Sequence, residues 1–170
     1  MWGRWLRWIV PALATATAVI MGPGSAAAAA TYPYSISGYE YAATSTEGRF
    51  AGTASGAVPG AWSATVDHTP LGTVATITGG GVHLATYLNG MPTSVSGDFT
   101  GGTVRQLSGF TGCASQRYAV DGTLGDVGLA TAGTGTGSFA GTLTHYRTEI
   151  LGHCVIYFAR ITGSLTLTAP

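Results

Sequence analysis

The sequence predicts an all-β fold, either an antiparallel β-barrel or, as the alternative, a two-sheet β-sandwich. Residues 31–170 contain 24 Thr and 24 Gly, about a third of that segment. Threonine is β-branched and favours strands, whereas glycine serves turns, bulges and close backbone approaches. No segment carries strong helix formers at a 3.6-residue period. About ten short alternating segments recur instead at a spacing of roughly 8–12 residues, which is typical of a sandwich or a barrel.

Residues 1–30 have the pattern of a secretory signal peptide. Arg4 and Arg7 form a basic head, an apolar run from Ile9 to Met21 follows, and small residues continue to Ala30. The apolar run is much shorter than the roughly 20 residues that a membrane-spanning helix needs, which disfavours the alternative of an uncleaved anchor. We therefore expect a secreted, extracellular protein. After cleavage, residues 31–170 would form a single β-rich domain without a transmembrane anchor.

Side-chain alternation places the strands along the mature chain. The first begins with Tyr34, Ile36 and Gly38 on one face, and an irregularity is expected before Tyr39. The third puts Trp62 and His68 on one face together with Ala64 and Val66. The full set of predicted strands covers residues 34–41, 48–56, 61–68, 73–78, 82–88, 93–100, 103–108, 115–124, 138–150 and 154–168.

The connections between these strands are read from their glycines. Asn89-Gly90 predicts a hairpin turn because both residues tolerate positive φ. Gly79-Gly80-Gly81 predicts another turn, and the Gly-, Ala- and Thr-rich residues 125–137 predict a long mobile loop. Most connections are too short for parallel crossovers, which favours antiparallel hairpins.

The phrase G-x-F-[AT]-G occurs three times, at residues 48–52, 97–101 and 137–141. The unequal intervals between the copies exclude a solenoid or propeller repeat. The phrase is interpreted structurally: the Phe fills the core, and the flanking glycines let neighbouring strands bend or approach closely. The alternative is a ligand-binding motif.

Charge limits the class of partner. The full chain has seven Arg, seven acidic residues and no Lys, and removal of residues 1–30 leaves five Arg against seven acids, a net charge of 5 − 7 = −2. Nucleic-acid binding needs clustered cations that replace condensed counterions, and five scattered arginines do not supply them. No nucleic-acid partner is expected. The apolar content also disfavours an intrinsically disordered chain.

The two cysteines, Cys113 and Cys154, predict one disulfide, since an even pair in an exported protein is most simply joined. The alternative is a metal site formed by these cysteines with His153. The other histidines are dispersed, and a motif such as H-E-x-x-H is absent. We therefore expect no metal and no cofactor.

A candidate catalytic set lies on the strand that covers residues 138–150. At a period of two, His145, Arg147 and Glu149 share a face with Phe139 and Leu143. His145 would move a proton, Arg147 would bind an oxyanion or a carboxylate, and Glu149 would orient either. In the alternative, one bulge turns the later residues outward, and Arg147 and Glu149 pair at the surface.

Three functions remain open at this stage. The first is a disulfide-linked β-barrel module that binds a small apolar molecule or a glycan through Trp62, Tyr87, Tyr118 and Tyr146. The second is a secreted cyclase, isomerase or hydrolase that uses the candidate catalytic set. The third is a cell-wall or surface interaction protein with exposed Thr-rich faces, such as Thr142, Thr144 and Thr148.

Short phrases in the chain resemble known groups of proteins. Gly60-Ala61-Trp62 is similar to the G-x-W phrase with which lipocalins begin their barrel, and the resemblance implies that Arg160 stacks on Trp62. The phrases at residues 108–113 and 143–148, with the lack of Lys and the wealth of Ala, Gly and Thr, resemble small secreted β proteins of unknown function from actinobacteria. That resemblance implies a fold and a compartment but no activity.

Overall fold

The computed structural model describes residues 29–56, 58–88, 91–109, 111–129 and 133–169, and these residues form a closed antiparallel barrel. The predicted signal peptide lies almost wholly outside them. Within the described ranges there are eight strands and no helix. The strands are β1 (Thr31–Ala43), β2 (Glu47–Gly56), β3 (Gly60–His68), β4 (Val74–Leu88), β5 (Met91–Ser108), β6 (Gln116–Leu129), β7 (Gly133–Ile150) and β8 (His153–Thr168).

The strands follow one another around the barrel in sequence order. Each pairs antiparallel with the next, and β1 pairs with β8, for example Tyr34 with Leu165, to close the wall. Closure leaves no unpaired sheet edge, which removes a common site of aggregation. The barrel prediction is confirmed, and the sandwich alternative does not apply.

The prediction of about ten strands is wrong because two pairs of predicted strands are continuous. Residues 73–78 and 82–88 belong to β4, and residues 93–100 and 103–108 belong to β5. Gly80 and Gly102 lie at these junctions with φ of 99° and 145°. Glycine adopts such angles readily, so the glycines bend each long strand instead of ending it.

The prediction of a long loop at residues 125–137 is also wrong in part. Strand β6 extends to Leu129 and β7 begins at Gly133, and Val127 in this segment is fully buried. The register shifts between Leu124 and Val127, so a bulge interrupts the alternation from which the strand would have been recognised. Residues 130–132 lie outside the described part of the chain, as does the predicted turn at 89–90. The ladder between β4 and β5 nevertheless continues to Leu88 and Met91.

The core lies inside the barrel and consists of inward-facing apolar side chains from all eight strands. The three Phe residues of the G-x-F-[AT]-G phrases, Phe50, Phe99 and Phe139, are all buried in it. Their rings lie over backbone glycines: a Cβ added at Gly122 would stand 2.7 Å from the Phe99 ring, and one at Gly141 would stand 2.7 Å from the Phe139 ring. These contacts support the structural interpretation of the phrase.

Replacing Gly122 with alanine is expected to lower the free energy of unfolding by about 1–3 kcal/mol, because the new methyl group overpacks the core against Phe99. The matched control is Gly72→Ala in the connection between β3 and β4, where the nearest atom to an added Cβ is 4.0 Å away. Urea denaturation followed by circular dichroism measures both. Equal losses in the two variants would contradict the close packing of Phe99 on Gly122.

One end of the barrel, called the mouth here, carries the connections at residues 44–46, 69–73, 109–115 and 151–152. The predicted disulfide is present there: Cys113 in the β5–β6 connection is bonded to Cys154 at the start of β8, with a Cα–Cα distance of 5.3 Å. The cysteines are therefore not metal ligands. Within the described ranges, no helix has the length and apolar character needed to cross a membrane.

Candidate functional site

A cavity runs from the aromatic core to the mouth of the barrel. Space open to water-sized molecules measures about 40 Å³, and the total empty volume, including space open to solvent at the mouth, is about 640 Å³. The wall is mostly apolar, and its polar lining residues, Glu40 and His68, stand near the mouth. The lining residues are Ile36, Glu40, Phe50, Trp62, Ala64, Val66, His68, Leu71, Val82, Phe99, Val104, Val120, Phe139, Leu143, Ile161 and Leu165.

The principal polar feature of this region is a buried pair formed by Glu40 and His145. The Nε2 atom of His145 donates a hydrogen bond to Oε2 of Glu40 at 2.9 Å. The His145 side chain is only 5% exposed and the Glu40 side chain 9%. Buried titratable groups in contact beside a cavity are typical of binding and catalytic sites, although structural pairs also occur. This pair is the strongest candidate for chemistry in the described chain.

Glu40 points inward because strand β1 keeps its alternation from Ile36 through Gly38 to Glu40. The register shift comes between Glu40 and Ala42, so the predicted irregularity before Tyr39 is misplaced by a few residues. Gly48 on β2 leaves room for the carboxylate, since a Cβ there would stand 2.8 Å from Oε1 of Glu40.

His145 reaches Glu40 across the intervening strand β8. His145 pairs with Ala159, while Arg160 pairs with Tyr39, the neighbour of Glu40. Ala159 therefore lies between the two residues on the inner face of the barrel. Its side chain is a single methyl group, which leaves space for the Glu40 and His145 side chains to form their hydrogen bond.

Tyr118 packs beside this pair. Its ring centroid lies 5.4 Å from that of His145, and its hydroxyl donates to Oε1 of Gln116 at 3.2 Å. Burial raises the pKa of Tyr118 above its ordinary value; the positive charge of Arg147 lowers it, and the negative charge of Glu40 raises it. Tyr118 is thus held as a neutral hydrogen-bonding group at the edge of the site.

His68 supplies an imidazole to the cavity wall near the mouth. Its Nδ1 atom donates to the carbonyl oxygen of Thr69 at 2.7 Å. In the neutral ring this leaves Nε2 as a hydrogen-bond acceptor. Among the residues that the structure describes, no group of three or more His, Cys, Asp or Glu side chains is arranged to hold a metal ion.

The structure separates the predicted catalytic set. His145 is buried inside the barrel, Arg147 is half-buried and lies close enough to Tyr118 to affect its pKa, and Glu149 is exposed. The register between β7 and β8 shifts after Tyr146, but Arg147 and Glu149 form no ion pair with each other in the described ranges. Glu40, which sequence reasoning left without a role, stands where Glu149 was expected to act.

The position of Glu40 could have been found from the period-two pattern on β1, because Glu40 follows the buried Tyr34 and Ile36 at even steps. Its pairing with His145 could not have been found in this way, because 105 residues separate the two in sequence.

The four predicted ligand-binding aromatics do not form one surface. Trp62 is 4% exposed and lines the cavity, whereas Tyr118 is buried against His145. Tyr87 is exposed and Tyr146 is half-buried on the outer wall. Arg160 is also exposed on the outer wall, so the expected stacking of Arg160 on Trp62 does not form. The Trp62 indole instead donates to the carbonyl oxygen of Ser37 at 3.2 Å.

Comparison with known proteins assigns no family to the chain. No protein-family model, no curated protein and no solved structure matches it. The cavity and the polar groups at its mouth are therefore the features that bear on function.

Proposed function

We propose that the barrel binds a small, mostly apolar molecule that carries one polar group. The observation that supports this most directly is the apolar cavity with the Glu40–His145 pair beside its mouth. Ligand sites are commonly apolar clefts with a few polar groups that fix orientation, and an eight-stranded barrel is wide enough to hold one small ligand where side chains leave space. The apolar part of the ligand would contact Trp62 and Val82.

The polar group of the ligand would meet Glu40. Among the described residues, the hydrogen bond of that carboxylate runs from His145 to Oε2. No buried side-chain oxygen in these ranges lacks a partner, so an unbonded Oε1 would have to be open to solvent or ligand. An ionised carboxylate accepts hydrogen bonds and donates none. A hydroxyl or amine group therefore suits the site, whereas a carboxylate ligand would be repelled unless it reached Arg147.

The size of the interior limits the ligand. The space open to water-sized molecules in the cavity is about 40 Å³, and one water molecule needs roughly 10–15 Å³ of such space. The space that is already open therefore holds only a few water-sized groups. We expect the ligand to be a compact alcohol with a single ring or a short chain. Its polar end would lie in the wider mouth.

Export forms part of the proposal. The signal-like residues 1–30 support it, and a disulfide is compatible with an oxidising compartment outside the cytoplasm. The protein would then capture its ligand outside the cell.

Titration of the protein with menthol, geraniol and cyclohexanol tests the proposal, with tryptophan emission as the readout. We expect at least one alcohol to change the emission saturably and Trp62→Phe to abolish the change. Ala64→Val narrows the cavity and should weaken binding at least tenfold, whereas Ala61→Val, exposed on the same strand, should not. No saturable change with any of the three alcohols, or equal binding by both valine variants, would refute cavity binding.

The Glu40–His145 pair supports a second candidate function, an isomerase or cyclase that moves a proton on the bound molecule. His145 would act as the acid or base, and Glu40 would orient its ring. NMR of a bound ketone in D₂O tests this: deuterium should replace the hydrogens next to the carbonyl with the native protein and not with His145→Gln. Absence of exchange with the native protein would exclude this second function and leave ligand binding as the remaining proposal.

A further inference from the structure

A second candidate site lies on the outside of the barrel, away from the cavity. A shallow cleft, called the outer cleft here, crosses β6, β7 and β8. It is lined by Arg117, Thr142, Thr144, Tyr146, Arg160 and Thr162.

The two arginines flank the cleft in one row. Arg117 pairs with Thr144, and Thr144 pairs with Arg160 on its other side. Neighbouring strands are about 4.8 Å apart, so the two arginine backbones stand roughly 10 Å from each other with the Thr144 hydroxyl between them. Two guanidinium groups at this spacing can converge on a single oxyanion, each in a bidentate manner.

Neither arginine is neutralised by an acidic neighbour in the described ranges. The pairs found there are Arg49 with Glu47 and His145 with Glu40. Asp121, on the same strand as Arg117, is four residues away, about 13 Å along an extended chain. In a mature chain with a predicted net negative charge, two unpaired cations side by side make this a local positive patch.

An exposed aromatic surface continues the outer cleft toward the mouth. The ring of Tyr146 stacks on Phe158 at 5.7 Å and contacts Tyr157 at 6.5 Å. Tyr157 is 65% and Phe158 47% exposed. Consecutive strand residues normally face opposite sides of a sheet. Here Phe158 pairs with Tyr146 and Ile156 pairs with Arg147, so Tyr157 is the extra residue of a bulge in β8. The bulge brings both rings to the outer surface.

We propose that the outer cleft binds an anionic saccharide. Its carboxylate, phosphate or sulfate group would lie between Arg117 and Arg160, and the threonine hydroxyls would bond the remaining oxygens. The apolar C–H face of an adjoining sugar ring would cover Phe158. Charge complementarity selects an anion, and the exposed aromatic rings favour a sugar ring over a free ion. This site is independent of ligand binding in the cavity.

Isothermal titration with tetragalacturonate, a sulfated heparin tetrasaccharide and neutral maltotetraose tests the proposal. We expect at least one anionic saccharide to bind and maltotetraose to bind at least tenfold more weakly. The double variant Arg117→Gln with Arg160→Gln should lose at least tenfold in affinity. The control Arg49→Gln removes the same type of charge from β2 and should change affinity less than twofold. Tetragalacturonate and the heparin fragment distinguish a carboxylate from a sulfate ligand.

Two further measurements separate a saccharide site from a simple anion site. Phe158→Ala should weaken saccharide binding several-fold without changing the binding of inorganic sulfate. The double arginine variant should retain the tryptophan response to alcohols, which reports on the cavity. The proposal is overturned if neither anionic saccharide binds, if maltotetraose binds equally well, if the double variant binds like the native protein, or if Phe158→Ala has no effect on saccharide affinity.

Discussion

Replacing Cys113 and Cys154 together with serine is expected to lower the free energy of unfolding by about 4 kcal/mol. The disulfide joins residues that are 41 positions apart, and a closed loop of that size restricts the unfolded chain by about this amount on the loop-entropy model. Typical domains are stable by only about 5–15 kcal/mol, so the loss is a large share of the total. Urea denaturation of the double variant against the native protein measures it.

The disulfide is also expected to hold the mouth of the barrel. It ties the β5–β6 connection to the β7–β8 hairpin, so hydrogen exchange should rise at residues 111–115 in the double serine variant. The control is the native protein treated with a reductant, which should reproduce the stability of the variant. A loss below about 1 kcal/mol in both would show that the loop-entropy account does not hold for this barrel.

Glu40→Ala is expected to lower the free energy of unfolding by about 3 kcal/mol, the second-largest effect of a designed change. The substitution removes the hydrogen-bonding partner of a buried imidazole, and an unpaired buried polar group is costly. Thermal or urea denaturation at pH 7 measures the loss.

Two comparisons isolate the contribution of burial. Glu47→Ala breaks the exposed pair with Arg49 and should cost about 0–1 kcal/mol. Replacing Glu40 and His145 together with leucine should recover much of the loss, because apolar replacement of a whole buried pair is often neutral. If Glu40→Ala cost no more than Glu47→Ala, the pair would have to be accessible to water in solution.

The candidate site was predictable only in part from the sequence. The alternation on β7 correctly placed His145 on the same inward face as Leu143, and the alternation on β3 placed Trp62 and His68 inside. Glu149 was assigned to the same cluster because a period of two predicts which face a residue lies on but not where the buried part of the strand ends. The end of β7 extends to the β7–β8 hairpin at the mouth, where Glu149 is exposed.

The points at which one strand ends and the next begins could not be predicted from the glycines alone. Glycine is equally compatible with a turn and with a bend inside a long strand, and only the paired strand distinguishes the two. Strand β4 pairs with β5 both before and after Gly80 and Gly102, although the ladder between them is interrupted at these glycines, so each glycine marks a bend within one strand.

The sequence by itself determined the β class, the inward face of most strands and the disulfide, because composition, alternation and cysteine number are local properties of the chain. Tertiary structure alone decided the strand count, the partnership of Glu40 with His145 and the row formed by Arg117, Thr144 and Arg160. Those features depend on register between strands that are distant in sequence. A shift of one residue in any pairing would turn the side chains to the other face, so short-range patterns cannot specify them.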